Sequence, residues 1–179
     1  MNILQSLVKP SQRIGFHYFP DSVHYRECDI NKWLPELTSL GAKWLILVSS
    51  TARAIPEMFI RRIAEAGIEP IIQFSENPAL PPTDHHLLAP ILNSYARWGC
   101  KVVQFLNFPN EKSAWENEKQ NHANLVDRFL DRWLPLANQT IQSGMLPLMP
   151  SLKPGGDYWD TAFLLAALER IQRRRQNRR

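Results

Sequence analysis

The sequence predicts an α/β protein in which five βα units form a parallel sheet. Four short apolar runs each follow a glycine that closes a helical stretch, which is typical of strands fed by helices. These glycines are Gly41, Gly67, Gly99 and Gly144. Strands that alternate with helices indicate parallel pairing and right-handed crossovers. With 179 residues, 44% of them hydrophobic, the chain is long enough for one domain with a core.

Each predicted strand is a short apolar or aromatic run bounded by glycine, proline or a polar turn. The five predicted strands cover residues 14–20, 42–50, 68–77, 100–110 and 145–150. After Lys101, the fourth run contains one polar residue, Gln104, before it reaches the turn Asn107-Phe108-Pro109-Asn110. Such a nearly continuous apolar run indicates a strand that is buried on both faces of the sheet.

The stretches between the strands carry helix signals. Asp29 is predicted to cap the first helix and Asp157 the last. Pro56 suits the first turn of the second helix, and Pro135 predicts a kink in the fourth. The predicted helices cover residues 29–40, 55–66, 83–98, 122–143 and 157–168, and the last one continues into an arginine-rich C-terminus.

Several classes of protein are excluded by missing motifs. No Gly-x-Gly-x-x-Gly follows the first strand and no Walker-type loop occurs, so we expect no nucleotide cofactor. His85 and His86 are adjacent and would point about 100° apart on a helix, so we expect no metal there. No apolar run approaches the ~18 residues of a membrane helix, and no secretory signal is visible. With only Cys28 and Cys100, a reduced, cytoplasmic setting is expected.

A (βα) barrel is the α/β architecture that remains. Such barrels normally have eight units in about 250 residues, roughly three units more than this sequence supplies. We therefore expect residues 1–179 to form a single incomplete TIM-type barrel with its helices outside the sheet. Residues 170–179 would form a basic tail with six arginines, in a chain of net charge +4. A solvated helix end is the favoured interpretation of this tail, and nucleic-acid binding is the alternative.

The turn after the fourth predicted strand carries a family resemblance. The stretch Gln104-Phe105-Leu106-Asn107-Phe108-Pro109-Asn110, followed by Trp115, resembles a motif of TIM-barrel glycoside hydrolases. Members of the clan that includes cellulases and β-galactosidases carry Asn-Glu-Pro at the end of their fourth strand. The aromatic first strand and the proline-flanked third strand agree with this resemblance. It implies an active face at the carboxyl ends of the strands.

The sequence departs from that motif at Phe108. The resemblance implies a general acid/base glutamate at this position, whereas phenylalanine has no titratable group. Glycosidases need two carboxyl groups, and in this family the second comes from the seventh strand, beyond the five units predicted here. Glu111 is the nearest replacement, but it lies three residues further along and past Pro109, so a solvated loop charge is the favoured interpretation. We expect no catalytic residue.

Four residues are candidates for contacts to a sugar on the expected active face. They are Asn107, His17, Glu76 and Trp115. Asn107 belongs to the motif, and the resemblance favours His17 in the aromatic first strand. Glu76 ends the third strand, and Trp115 offers a ring on which a pyranose face can stack. Structural roles stay open for all of them, including a core histidine and a packed tryptophan.

The resemblance implies a glycoside-hydrolase-like protein that is truncated and catalytically impaired but retains carbohydrate binding. Two alternatives stay open. One is an active glycosidase whose missing carboxylates come from a partner chain, and the other is a nucleic-acid-associated protein that uses the arginine tail.

Five parallel strands would leave one sheet face and two edges uncovered, although parallel sheets are normally covered on both faces. The uncovered inner face would carry Val102, Gln104 and Leu106, or their neighbours of opposite parity. We therefore expect self-association through the open barrel face and the edges, most simply as a two-fold dimer.

Overall fold

Five βα units follow one another around a single parallel sheet in the computed structural model, which describes residues 14–74, 85–115 and 125–176. The sheet order is β1-β2-β3-β4-β5 and every neighbouring pair is parallel. The strands are β1 Gly15–His17, β2 Trp44–Ser49, β3 Glu69–Phe74, β4 Val102–Phe105 and β5 Leu146–Leu148. The helices are α1 Glu27–Ser39, α2 Glu57–Glu65, α3 His85–Arg97, α4 Leu125–Gln142 and α5 Asp160–Gln176. The predicted α/β class with five units of parallel sheet is confirmed.

The strands and helices follow the predicted order, and most differences lie at their ends. The four predicted helix-closing glycines all have a left-handed backbone, with φ between 71° and 95°. Asp29 is not the N-cap of α1, because the helix begins at Glu27, and its carboxylate reaches back to the amide of Arg26 at 2.9 Å. Asp157 does not cap α5, which begins at Asp160, but accepts a hydrogen bond from the amide of Lys112 at 2.9 Å.

The outer face of the sheet packs against the helices and holds most of the core. Alternate residues of β2, β3 and β4 point to this side, and the strand registers align them in rows across the sheet. The outward side chains Leu45, Leu47, Ile72, Phe74, Val103 and Phe105 are fully buried. The amphipathic helix α2 contributes Phe59, Ile60 and Ile63 to this core, all fully buried. The 2- and 3.6-residue periodicities thus place one apolar side of each element on a shared core.

The inner face of the sheet is buried at its centre and half-exposed at its flanks. Ile71 and Gln73 of β3 lie beside Val102 and Gln104 of β4, and all four are buried. The inner residues of β2 and β5 keep partial exposure. Of the two parities that the sequence left open, the structure places Val102 and Gln104 on this face, whereas Leu106, which follows the strand with left-handed backbone, packs in the core with Val103 and Phe105. The expectation of an uncovered inner face is wrong at its centre.

The arginine-rich segment is the last part of a packed helix as far as residue 176. α5 lies against α4, with Phe163 and Ala167 buried between them. Arg174 donates to Asp131 at 2.6 Å and to Asp127 at 3.2 Å, both on α4. Residues 170–176 therefore continue α5, as expected for a helix end. Within the described residues, no helix is long and apolar enough to cross a membrane.

Candidate functional site

The candidate site is the turn that follows β4 at the carboxyl edge of the sheet. We define the β4 turn as residues 106–111. Two of its non-glycine residues have left-handed backbone, with φ of 66° at Leu106 and 47° at Phe108. A bulky side chain in this region costs about 1–2 kcal/mol, because Cβ crowds the following carbonyl. Two such residues on either side of Asn107 mark a backbone held in place by its surroundings.

Backbone hydrogen bonds to two neighbouring segments fix the β4 turn. The amide of Leu106 donates to the carbonyl of Phe74, at the end of β3, at 3.2 Å. The amide of Phe108 donates to the carbonyl of Ser151, beyond β5, at 2.9 Å. The turn is thereby attached to the chain on both sides of β4, so the positions of Asn107 and Phe108 are set by the sheet.

The side chain of Asn110 holds the β4 turn against the loop after β5. Its Nδ2 donates to the carbonyls of Lys153 at 2.9 Å and Tyr158 at 3.0 Å, and its Oδ1 accepts from the amide of Lys153 at 2.9 Å. Asn110 is fully buried, so its amide depends on partners within the protein, and these three hydrogen bonds satisfy it. A Cβ on Gly156 would lie 2.6 Å from Nδ2, so a glycine is required for this close approach.

An aromatic ring and neutral polar groups meet at the β4 turn. The side chain of Phe108 is 40% exposed although it follows a buried strand. Gln73 and Gln104 are register partners on the inner face below the turn, and Gln104 Nε2 donates to Ser151 Oγ at 3.2 Å. Asn107 Oδ1 is buried without a hydrogen-bond donor among the described residues. The cluster can contact a ligand through ring stacking and uncharged hydrogen-bonding groups.

Glu111 lies at the end of the β4 turn in a structural ion pair. Its carboxylate is 2.9 Å from Lys153 Nζ, and its side chain is 17% exposed. The hydroxyl of Ser113 also donates to it at 3.4 Å. These contacts connect the same two loops that Asn110 joins. The structure therefore places Glu111 in the bracing between the loops and not as a free acid.

Trp115 is a core side chain in this structure. It is 4% exposed, and its indole Nε1 donates to the carbonyl of Pro109 at 2.9 Å. The guanidinium of Arg128 lies 4.8 Å from the ring centre. A buried ring covered by a cation offers no free face to a sugar, so the prediction that Trp115 stacks on a ligand is wrong for this conformation. Its contact with Pro109 supports the β4 turn from below.

His17, another predicted contact, does not join this cluster. His17 is exposed on the inner face of β1, where it is in register with Ile46. Three strand spacings separate β1 from β4, on the order of 14 Å along the sheet. Glu76 lies outside the described residues.

Sequence reasoning missed a second concavity at the same edge of the sheet. A cleft of about 620 Å³ lies between the loops after β1 and β2. Tyr25 and Ile55 are buried residues in its lining, and Arg26 and Arg53 also line it. The polar loop after β1 was the available signal, but Arg26 in this loop and Arg53 after β2 do not form a recognisable motif.

The strongly raised pKa values belong to core groups rather than to the β4 turn. Burial raises the pKa of Tyr95 and of Cys100 to about 12 each, because the charged form loses its hydration. A proton donor for catalysis needs a pKa near the working pH, so neither group is suited to that task. Within the described residues, no cluster of histidine, cysteine or carboxylate side chains could hold a metal ion.

No family model and no curated protein sequence matches this chain.

Proposed function

We propose that this chain is a glycoside-hydrolase-like barrel segment that binds carbohydrate at the β4 turn without hydrolysing it. The observation that carries the proposal is Phe108. Its ring is 40% exposed on a left-handed backbone, in the position where the resembled motif has its catalytic glutamate. An exposed phenylalanine in a constrained turn is costly for the fold alone, which favours a role in binding.

The chemistry of the turn suits an uncharged, polyhydroxylated ligand. The face of a pyranose ring carries C–H groups that pack on an aromatic ring, and Phe108 offers such a ring. Asn107 lies beside it with an amide oxygen that lacks a donor, and a sugar hydroxyl could provide one after rotation of the side chain. The nearest carboxylate in the turn, Glu111, is held by Lys153. These neutral groups favour sugars over phosphates or metal ions.

The same arrangement argues against hydrolysis by the described residues. Phe108 cannot protonate a leaving oxygen, and the side chain of Glu111 is engaged in an ion pair. The alternative of an active glycosidase completed by a partner chain would need both carboxylates from outside the five units. The nucleic-acid alternative loses support because Arg170 and Arg174 pair with acidic residues of α4.

Titration with short β-linked oligosaccharides, followed by NMR or calorimetry, tests the proposal. We expect weak binding that Phe108→Ala abolishes and Phe108→Trp preserves, since stacking needs a ring. Ile141→Ala is the matched control, because Ile141 is 57% exposed on α4 and belongs neither to the β4 turn nor to the lining of the cleft after β1 and β2. Equal binding by wild type and Phe108→Ala would contradict the proposed site. Turnover of chromogenic glycosides that is lost in Glu111→Gln would contradict the non-catalytic role.

A further inference from the structure

The two edges of the sheet carry exposed apolar surfaces of different shape. β1 and β5 are the outer strands, and each has a neighbour on one side only within the described residues. α1 lies with β1 at one edge, and α5 follows β5 at the other. Because every strand is parallel, the open side of β5 and the open side of β1 face opposite directions along the sheet. The β5 edge of one sheet can therefore pair with the β1 edge of another sheet of the same kind.

The β5 edge presents a ridge on α5. Leu164, Leu165 and Leu168 are 37%, 60% and 48% exposed, and their spacing places them on one side of the helix. Phe163 and Ala167, on a different side, are buried. We call the three leucines the α5 ridge. A group of large apolar side chains exposed on one helix is typical of a surface that packs against another element.

The β1 edge presents a groove. A cavity of about 260 Å³ is lined by residues of β1, of the segment after it and of α1. Its mostly apolar lining includes Phe16, Tyr18, Trp33, Leu37 and Leu40, and Leu40 is 58% exposed. We call this cavity the β1 groove. Its outer rim also includes Glu36, an exposed acidic residue.

We propose that a second copy of this chain binds edge to edge, with the α5 ridge of one copy in the β1 groove of the other. The ridge exposes apolar side chains and the groove is lined mostly by apolar side chains, so the two surfaces match in chemistry. Continuation of the parallel sheet from β5 to the partner's first strand would bring the two surfaces together. The sheet edges would then gain backbone hydrogen bonds as well as apolar cover.

Charge complementarity supports this occupant. In a right-handed βα unit each helix runs back against its strand, so the C-terminal ends of α1 and α5 lie at the same end of the sheet. Glu36 lies near the end of α1 and Arg175 near the end of α5, and both are exposed. Neither side chain has an ion-pair partner among the described residues. In the edge-to-edge contact these opposite charges approach each other beside the ridge.

This contact is heterologous, because each copy uses two different surfaces. Two such contacts can close into a two-fold dimer, and contacts that do not close lead to longer chains. Either product depends on the same ridge and groove. The centre of the inner face takes no part, since it is already buried within one copy.

Analytical ultracentrifugation at tens of micromolar tests the contact. We expect the wild type to self-associate, and we expect Leu165→Glu in the ridge and Leu40→Glu in the groove each to weaken it at least tenfold. Ile141→Glu is the matched control, because Ile141 is 57% exposed on α4 and belongs to neither surface. A monomeric wild type would contradict the proposal. Loss of association in the control alone would contradict it too.

Mixing the two variants distinguishes this contact from a symmetric one. Leu165→Glu keeps an intact groove and Leu40→Glu keeps an intact ridge, so an equal mixture should form a pair through one remaining contact. A mixture that stays monomeric would overturn the heterologous arrangement.

A charge exchange provides a second test that does not alter the apolar surfaces. Glu36→Lys and Arg175→Glu should each weaken association, and the double variant should restore it. Failure of the double variant to associate better than either single variant would overturn the proposed orientation. Circular dichroism melts verify that each variant is folded.

Discussion

The turns after β2 and β4 lie at the same edge of the sheet but are anchored in different ways. The turn after β2, residues 50–55, is held by phenol groups. Tyr95 of α3 bonds Ser49 Oγ and accepts from the amide of Ile55, both at 2.7 Å. Tyr25 donates to the carbonyl of Val48 at 2.7 Å. The β4 turn is held instead by the amide of Asn110 and by backbone contacts to the next loop.

The turn after β2 is thus held in place by the hydrophobic core, whereas the β4 turn is held in place by another loop. Tyr95 and Tyr25 are buried aromatic residues, so hydrophobic packing fixes the hydroxyls that hold the β2 turn. The β4 turn depends on polar contacts between loops and carries both left-handed non-glycine residues of the described chain. Strain of this kind persists where surrounding contacts determine the backbone. The backbone strain of the β4 turn is therefore not explained by hydrophobic packing alone.

High pH should give the largest change in the free energy of unfolding. It should act on the part of the core that contains the phenol of Tyr95, which holds the turn after β2. Burial raises the folded-state pKa of Tyr95 from 10.0 to about 12 and that of Cys100 from 9.0 to about 12. Both groups are neutral in the folded state and ionise earlier when unfolded. Their contribution to the stability of the folded state is therefore complete below pH 9 and decreases as the pH rises towards 12. For each group, the free energy of unfolding decreases by about 1.4 kcal/mol per pH unit between its pKa in the unfolded state and its pKa in the folded state.

Denaturant unfolding at several pH values between 8 and 11 measures this loss. The free energy of unfolding should decrease by roughly 3 kcal/mol or more between pH 9 and 11. Cys100→Ala should remove the part that begins near pH 9. Tyr95→Phe should reduce the part that begins near pH 10, to which Tyr18 and Tyr25 also contribute because burial raises their pKa values too. An unfolding free energy that stays constant across this range would contradict the burial of these groups.

Asn110→Ala should give the next largest loss of stability, and it should act on the β4 turn. It removes three hydrogen bonds and leaves the amide and carbonyl of Lys153 and the carbonyl of Tyr158 without this partner. At about 1 kcal/mol for each group, the loss is about 3 kcal/mol, measured by urea unfolding. The control is Asn138→Ala on the exposed side of α4, which should change stability by less than about 0.5 kcal/mol. Equal effects of the two changes would mean that the Asn110 contacts contribute little.

Tyr95→Phe at neutral pH should cost less, about 1–2 kcal/mol, because packing of the ring is kept and only the hydroxyl is lost. The change leaves the amide of Ile55 without its acceptor and releases Ser49. Hydrogen exchange should therefore accelerate at Ile55 and not at Phe108, whose amide is bonded to Ser151. Faster exchange at both amides would show that the two turns are coupled rather than separately anchored.

Phe108→Asn should give the smallest effect and the opposite sign. Asparagine tolerates the left-handed backbone better than phenylalanine, so stability should rise by about 0.5–1 kcal/mol. Phe108→Ala is the matched comparison, since it also removes the ring but keeps a residue that disfavours this backbone. Thermal unfolding of the two variants measures the difference. A lower stability of the asparagine variant would argue against strain at this position.

Much of the fold could be predicted because its signals are local. The helix-closing glycines, the proline near the start of α2 and the apolar runs each act within a few residues, and they gave the correct order of elements. The errors at Asp29 and Asp157 have a common cause. Both carboxylates do bond backbone amides, but Asp29 acts from inside the helix and Asp157 bonds Lys112, 45 residues away. Residue type alone does not distinguish these positions.

The position of the β4 turn was predicted, but the contacts of its side chains were not. The motif around Asn107 located the turn at the correct edge of the sheet. The burial of Trp115 could not be predicted. A tryptophan that follows such a turn can stack on a ligand or pack against the protein, and the residue type does not distinguish the two. The role of Asn110 was also hidden, since its partners lie 43 and 48 residues further along the chain.

By itself, the sequence determined the α/β class, the number and order of the units and the position of the turn that carries Asn107 and Phe108. These features depend on periodicity and on glycine stops, which act between near neighbours in the chain. Only the tertiary structure decided which side of each strand faces the helices, that Glu111 and Trp115 brace the turn, and that Leu106 and Phe108 adopt left-handed backbone. Those features depend on contacts between separate βα units, because strain and buried hydrogen bonds persist only where the surrounding packing enforces them.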